Sequence, residues 1–213
     1  EVDLVTEVAK RLGKSVEFVN IPFNGLFPAV QSGRIDMAVS SITITDKRLE
    51  SVTFAQPYYD SDQSLTVTAD SGIDGMKGMT DKVVGVDTGS TGDMWVNAHG
   101  AEYKLADTRR YEGLSPAMLD LAAGRIDGYI SDIPALQYYV KDKPNLKVVE
   151  RIATGEKYSI MFNKDASLAT EVNGILTELK KEGFIAGLHE TWFGAKPEDT
   201  TSTVSVMDMP TVK

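Results

Sequence analysis

The chain has 213 residues, no cysteine and a formal net charge of −9 from 31 acidic and 22 basic residues. The missing cysteines exclude disulfides, thiolate metal sites and cysteine catalysis, and a field of that sign opposes nucleic acid and anionic lipid. The composition is that of a soluble globular protein, 42% apolar, and no apolar run reaches the roughly 18 residues a membrane span needs. No secretion signal opens the chain, which decides little, since such a signal is removed from a mature chain.

In chain order, Val5, Val8, Ala9 and Leu12 share one helix face, and Gly13 stands where that helix would stop. Ser15 to Asn20 alternates like a strand, Gly25 to Ser32 predicts a short helix, and Ile35 to Ser40 a mostly apolar strand. Strands are then predicted over Lys82 to Val86, Tyr103 to Leu105 and Gly128 to Ser131. Leu168, Val172, Ile175, Leu176 and Leu179 mark a long helix, and Phe184 to Trp192 one more. Residues 195–213, rich in Thr, Ser and Pro, read as a loose tail. Alternating strands and helices predict an α/β fold with mainly parallel sheets.

One string occurs twice. Ser32-Gly33-Arg34-Ile35-Asp36-Met37-Ala38-Val39-Ser40 is echoed by Ala123-Gly124-Arg125-Ile126-Asp127-Gly128-Tyr129-Ile130-Ser131. Such helix–Gly–strand turns also arise by convergence; the other reading is two similar α/β lobes. Ligands in open α/β sheets gather beyond the carboxyl ends of the strands. On that reading Ser40, Ser41, Ser131 and Asp132 border a cleft.

Arg48 follows the first copy in Thr43-Ile44-Thr45-Asp46-Lys47-Arg48. With Thr45 as N-cap, Arg48 lies in the first helical turn, where it is either a surface cation or a fork for an anion, with Thr43 as a further donor. Val86-Asp87-Thr88-Gly89-Ser90-Thr91-Gly92 is a strand, a turn and a helix start, lacking the spacing of a phosphate loop. It is either a plain tight turn or a second anion site. Asp132 precedes Pro134 at a helix start, so it caps that helix, receives an ammonium group, or does both. Phe23 either stacks on a ligand or belongs to the core. His99 and His189 are too few and too far apart in sequence for a metal site, and no Gly-x-Ser-x-Gly elbow occurs, so neither cofactor nor metal is expected.

Together, Val2-Asp3-Leu4, Phe27-Pro28-Ala29-Val30, Ser40-Ser41-Ile42-Thr43-Ile44-Thr45-Asp46-Lys47-Arg48, Phe54-Ala55-Gln56-Pro57-Tyr58-Tyr59, Glu182-Gly183-Phe184 and Trp192-Phe193-Gly194 resemble the polar amino-acid-binding proteins of ABC importers. These are periplasmic solute-binding proteins of family 3, and the likeness is to the lysine/arginine/ornithine/histidine/glutamine branch. The resemblance covers residues 1–194. It implies a type II periplasmic-binding fold, two α/β lobes joined by two crossing strands, with lobe one at 1–66 and 158–194, lobe two at 67–157 and a C-terminal tail at 195–213. It implies a periplasmic or extracytoplasmic, non-enzymatic binder that closes on a free amino acid, polar or basic favoured, and delivers it to a permease.

The resemblance assigns the ligand's carboxylate to Arg48, Thr43 and the backbones of Ser41 and Thr91, its ammonium to Asp132 and Ser40, and its side chain to Phe23. Asp87 matches a family position that touches the side chain, and Ser90 lies beside it. The alternatives are a cyclohexadienyl or arogenate dehydratase, which needs an acid such as Glu112 or Asp87, and a receptor's sensor domain. Members of the family usually begin with a further strand, absent from this sequence. The expectation is that this impairs stability and affinity and invites strand exchange with another chain.

Overall fold

The structure, a computed structural model, describes residues 1–212. The chain runs through α1 (Val2–Arg11), α2 (Phe23–Gln31), β1 (Met37–Ala38), α3 (Asp46–Leu49), β2 (Val52–Phe54) and β3 (Tyr59–Thr68). Next come β4 (Val83–Asp87), α4 (Thr91–His99), β5 (Asp107–Tyr111), α5 (Leu114–Ala122), β6 (Gly128–Asp132) and α6 (Ile133–Val140). It ends with β7 (Leu146–Tyr158), β8 (Met161–Asn163), α7 (Ser167–Lys181) and α8 (Phe184–Phe193). Two compact units result: unit 1 takes Glu1–Ile21, Gly25–Asp60 and Glu156–Lys213, and unit 2 takes Pro22–Asn24 and Ser61–Gly155.

Unit 2 is a five-stranded sheet in the order β5-β4-β6-β3-β7. It is mixed rather than mainly parallel: β4 runs parallel to β5 and β6, whereas β3 is antiparallel to β6. Because side chains alternate along a strand, Val84, Val86 and Ile130 join the core that includes Val96 of α4, while Tyr129 joins the core of α5 and α6. Gly85 lets the second layer close, since a Cβ there would stand 2.6 Å from Ile126 Cδ1. The strand expected at Tyr103 to Leu105 is a turn, and β5 begins after it.

Unit 1 holds the sheet β1-β8-β2, antiparallel throughout, and a core of α1, α7 and α8 side chains packed around Tyr158, Ile160 and Phe162. Residues 15–20, expected as a strand, form none. A strand needs a neighbour to answer its N–H and C=O groups, and here residues 14–19 face residues 34–39 across a groove of about 700 Å³. Phe18 and Val19 are accordingly 50% and 52% exposed. On its other side β1 is paired only to β8.

The repeated string folds twice in the same way. Gly33 and Gly124 adopt left-handed φ of 72° and 69° just after α2 and α5. In both, the Gly N–H reaches back three residues and the following Arg N–H five, the double bond of a Schellman helix stop.

The 195–213 stretch is not loose over its described part. Ser202 donates through its N–H and hydroxyl to Asp60, Met207 N–H donates to Gln56 Oε1, and Met209 packs on the unit 1 core. Lys180 Nζ, 4% exposed, donates to the carbonyls of Pro57 (2.7 Å) and Ser205 (2.9 Å). Burial pushes its pKa down to about 8, with Asp60 opposing and Lys157 adding to the shift. Below about pH 8 this lysine is charged in both folded and unfolded chains and contributes no pH dependence. Between that value and its ordinary 10.5 only the unfolded chain holds the proton, so folding becomes more favourable as pH rises. Urea unfolding of the wild type and Lys180→Met at neutral and alkaline pH should show the wild type gaining on the variant; a constant difference contradicts this.

Candidate functional site

In unit 1 the residues predicted for the carboxylate fall on one short stretch. Thr45 caps α3 by accepting from Arg48 N–H (3.2 Å), as its sequence position predicts. That cap turns the Arg48 side chain inward, where it is 5% exposed. Its Nη1 donates to Thr43 O at 2.6 Å, and the guanidinium carbon lies 5.1 Å from the centre of the Phe27 ring. A guanidinium fork matches a planar anion in shape and charge.

Thr43 is pinned by hydrogen bonds on either side, Ile44 N–H to Lys157 O and Ser159 N–H to Ile42 O. Its hydroxyl donates to Glu156 Oε2 at 2.5 Å, a buried carboxylate that sequence reasoning missed. Ser41 has a left-handed φ of 48°, a costly state for a residue with a Cβ. Its N–H, expected to meet a ligand, donates to Glu1 Oε1 at 2.7 Å, and the Tyr58 hydroxyl donates to the same oxygen. Ser40 beside it is exposed.

In unit 2 the predicted residues divide. Ser90 caps α4 by accepting from Asp93 N–H, so its hydroxyl serves the helix, and the N–H groups of Gly89 and Ser90 are used within the turn. Thr91 opens α4 and its hydroxyl accepts from Gln63 Nε2 at 3.1 Å. Asp132 stands at the N-cap position of α6, yet its side chain makes no capping bond. Its Oδ1 instead accepts from Gln63 Nε2 at 2.5 Å. Gln63, buried in the polar run Ser61–Ser64 of β3, thus joins two predicted site residues. An exposed strand face would show the same run, so only the structure distinguishes them.

Asp87 ends β4. Burial foremost raises its pKa, opposed by the Tyr129 hydroxyl and Gly113 N–H, with the Glu112 charge raising it further. Its buried Oδ1 has no hydrogen-bond partner among the described residues. Phe23, half-buried, begins α2 and falls with the short Pro22–Asn24 piece of unit 2. Among the described residues no cluster of His, Asp and Glu could hold a metal ion, and no helix is long and apolar enough to cross a membrane.

Known proteins place this arrangement. A profile of the bacterial extracellular solute-binding proteins, family 3, matches residues 1–195. The chain belongs to that family. It is 30% identical to the putative amino-acid ABC transporter-binding protein PatH of Vibrio harveyi, over 92% of this chain and 79% of that one. It is 28% identical to the arginine-binding extracellular protein ArtP of Bacillus subtilis (strain 168), over 91% and 76%. An ancestral arginine-binding protein solved with arginine superposes with a TM-score of 0.84 at 34% identity, covering 91% of this chain and 87% of that one, and has also been solved with glutamine. This family-3 chain therefore has the type II periplasmic-binding fold and is an amino-acid-binding protein of ABC transport rather than an enzyme. The dehydratase alternative finds no support among these relatives.

Proposed function

We propose that the chain binds a free L-amino acid with a basic or polar side chain, recognising it as a zwitterion, and passes it to an ABC permease. Arg48 would take the ligand's carboxylate, with Thr43 and Ser40. Asp132 would take its ammonium, with Thr91. The carrying observation is that Asp132 sits at a helix start without capping it, its carboxylate held by a neutral donor instead. Phe23 would stack on the ligand's side chain.

The basic preference rests on Asp87. Its neighbouring charge, Glu112, is of the same sign, and a guanidinium or ammonium is the group that would answer such a carboxylate. Arginine appears in the names of ArtP and of the ancestral protein, which supports this choice. The relatives also support an extracytoplasmic location outside the membrane.

A thermal-shift screen against the common amino acids tests the reading. A ligand at about a hundred times its Kd stabilises by roughly 2.7 kcal/mol. Shifts should be confined to arginine and a few polar amino acids. Arg48→Ala should cost about 2–5 kcal/mol for every ligand, whereas Asp87→Asn should weaken arginine far more than glutamine. Equal losses for the two would remove Asp87 from the side-chain site.

The groove between residues 14–19 and 34–39 supports a further partner, an extended strand contributed by another chain. It is walled by one extended segment without a ladder and by β1, so an incoming strand would add to both. Light scattering should then show dimerisation that grows with concentration. Val19→Pro, which removes an edge donor, should keep the chain monomeric; wild type monomeric at all concentrations contradicts the exchange.

A further inference from the structure

A carboxylate that receives an ammonium group must be held still without being neutralised. A lysine or arginine beside it would compete with the ligand for its charge. An apolar neighbour would leave it at liberty to turn and cap α6, the ordinary fate of an Asp at that position. A neutral donor avoids both outcomes.

Gln63 meets that requirement. It lies opposite Asp132 in the antiparallel β3–β6 pair and is completely buried. Its own N–H donates to Thr154 Oγ1 at 3.1 Å, which anchors the backbone. Both protons of its carboxamide nitrogen are spent on predicted site residues, one on Asp132 Oδ1 and one on Thr91 Oγ1. A carboxamide is planar, so fixing it in this way fixes the end of β6 and the start of α4 relative to each other.

Gly92 supplies an independent observation. Its backbone is not in the left-handed region, so conformation does not demand glycine there. Space does: a Cβ would stand 2.9 Å from Gln63 Oε1 and 3.1 Å from the Ile130 carbonyl oxygen. The first turn of α4 approaches β3 and β6 so closely that a larger residue would displace the carboxamide.

We propose that Gln63 is the positioning residue of the amino-acid site, orienting the Asp132 carboxylate and the Thr91 hydroxyl together, with Gly92 leaving room for it. This deepens the zwitterion reading and rests on Asp132 as the ammonium partner. The Tyr129 hydroxyl on the same strand feels the charges of both Asp132 and Asp87 of β4.

Calorimetric titration with L-arginine from about pH 4 to about pH 9 separates positioning from mere packing. Gln63→Met keeps the length of the side chain and removes both donors; affinity should fall about tenfold or more. Gln63→Glu sets two carboxylates side by side, and such a pair keeps a proton to higher pH than a lone aspartate. The retained proton stands in for the amide donor and leaves one carboxylate charged, so affinity should survive in acid and fall toward alkaline pH, where that proton leaves and Asp132 loses its donor. A purely structural role would weaken binding equally at every pH. Gly92→Ala, which pushes on the carboxamide without altering any titrating group, should weaken arginine with the wild-type pH profile. Full affinity in Gln63→Met, or in Gln63→Glu at alkaline pH, overturns the proposal. Asp132→Asn tells the two readings apart. If it binds arginine like wild type, the ammonium assignment falls and the proposal with it. If it binds weakly while Gln63→Met binds normally, only the positioning role falls.

Discussion

Arg48 organises unit 1 because a residue only 5% exposed that carries a charge must have its donors answered. The Thr43 carbonyl takes one donor, the Phe27 ring lies against the cation, and the Thr45 cap sets the turn from which the side chain points. The segment carrying Thr43 is tied to residues 157–159 by backbone hydrogen bonds. Removing the cap, the tie or the ring would each move the cation proposed to receive the carboxylate.

Unit 2 answers the complementary problem with different means. Its anion is placed by a neutral amide on a neighbouring strand, and the cap that the helix start would ordinarily receive is left unmade. Ser90, by contrast, does cap its helix. Two helix starts in one unit thus use their first polar side chains in opposite ways. An unmade cap forgoes about 1 kcal/mol, a modest loss.

Much of this was legible in the sequence where local rules decide. The periodicity of α1 and α7, the Thr45 cap and the paired Gly33 and Gly124 turns follow from residue type and spacing alone. Residues 15–20 alternate as a strand should, yet strand formation depends on a neighbour that the pattern cannot guarantee. Gln63 lay hidden because a buried polar strand face and a solvated one have the same alternation. The 195–213 stretch misled for a similar reason: its serines suggest solvent, but Ser202 is bound to Asp60 and fully buried. Local chemistry shows through in sequence, whereas which polar groups end up paired with one another is a property of the packed chain.

The central claim is that recognition is of a zwitterion, with Arg48 answering one end and Asp132 the other. Its most direct test is a calorimetric comparison of L-arginine with its α-amide, which lacks the carboxylate, and with its des-amino analogue, which lacks the ammonium. The account predicts that each loses about a hundredfold or more in affinity. Either analogue binding as tightly as arginine would contradict it.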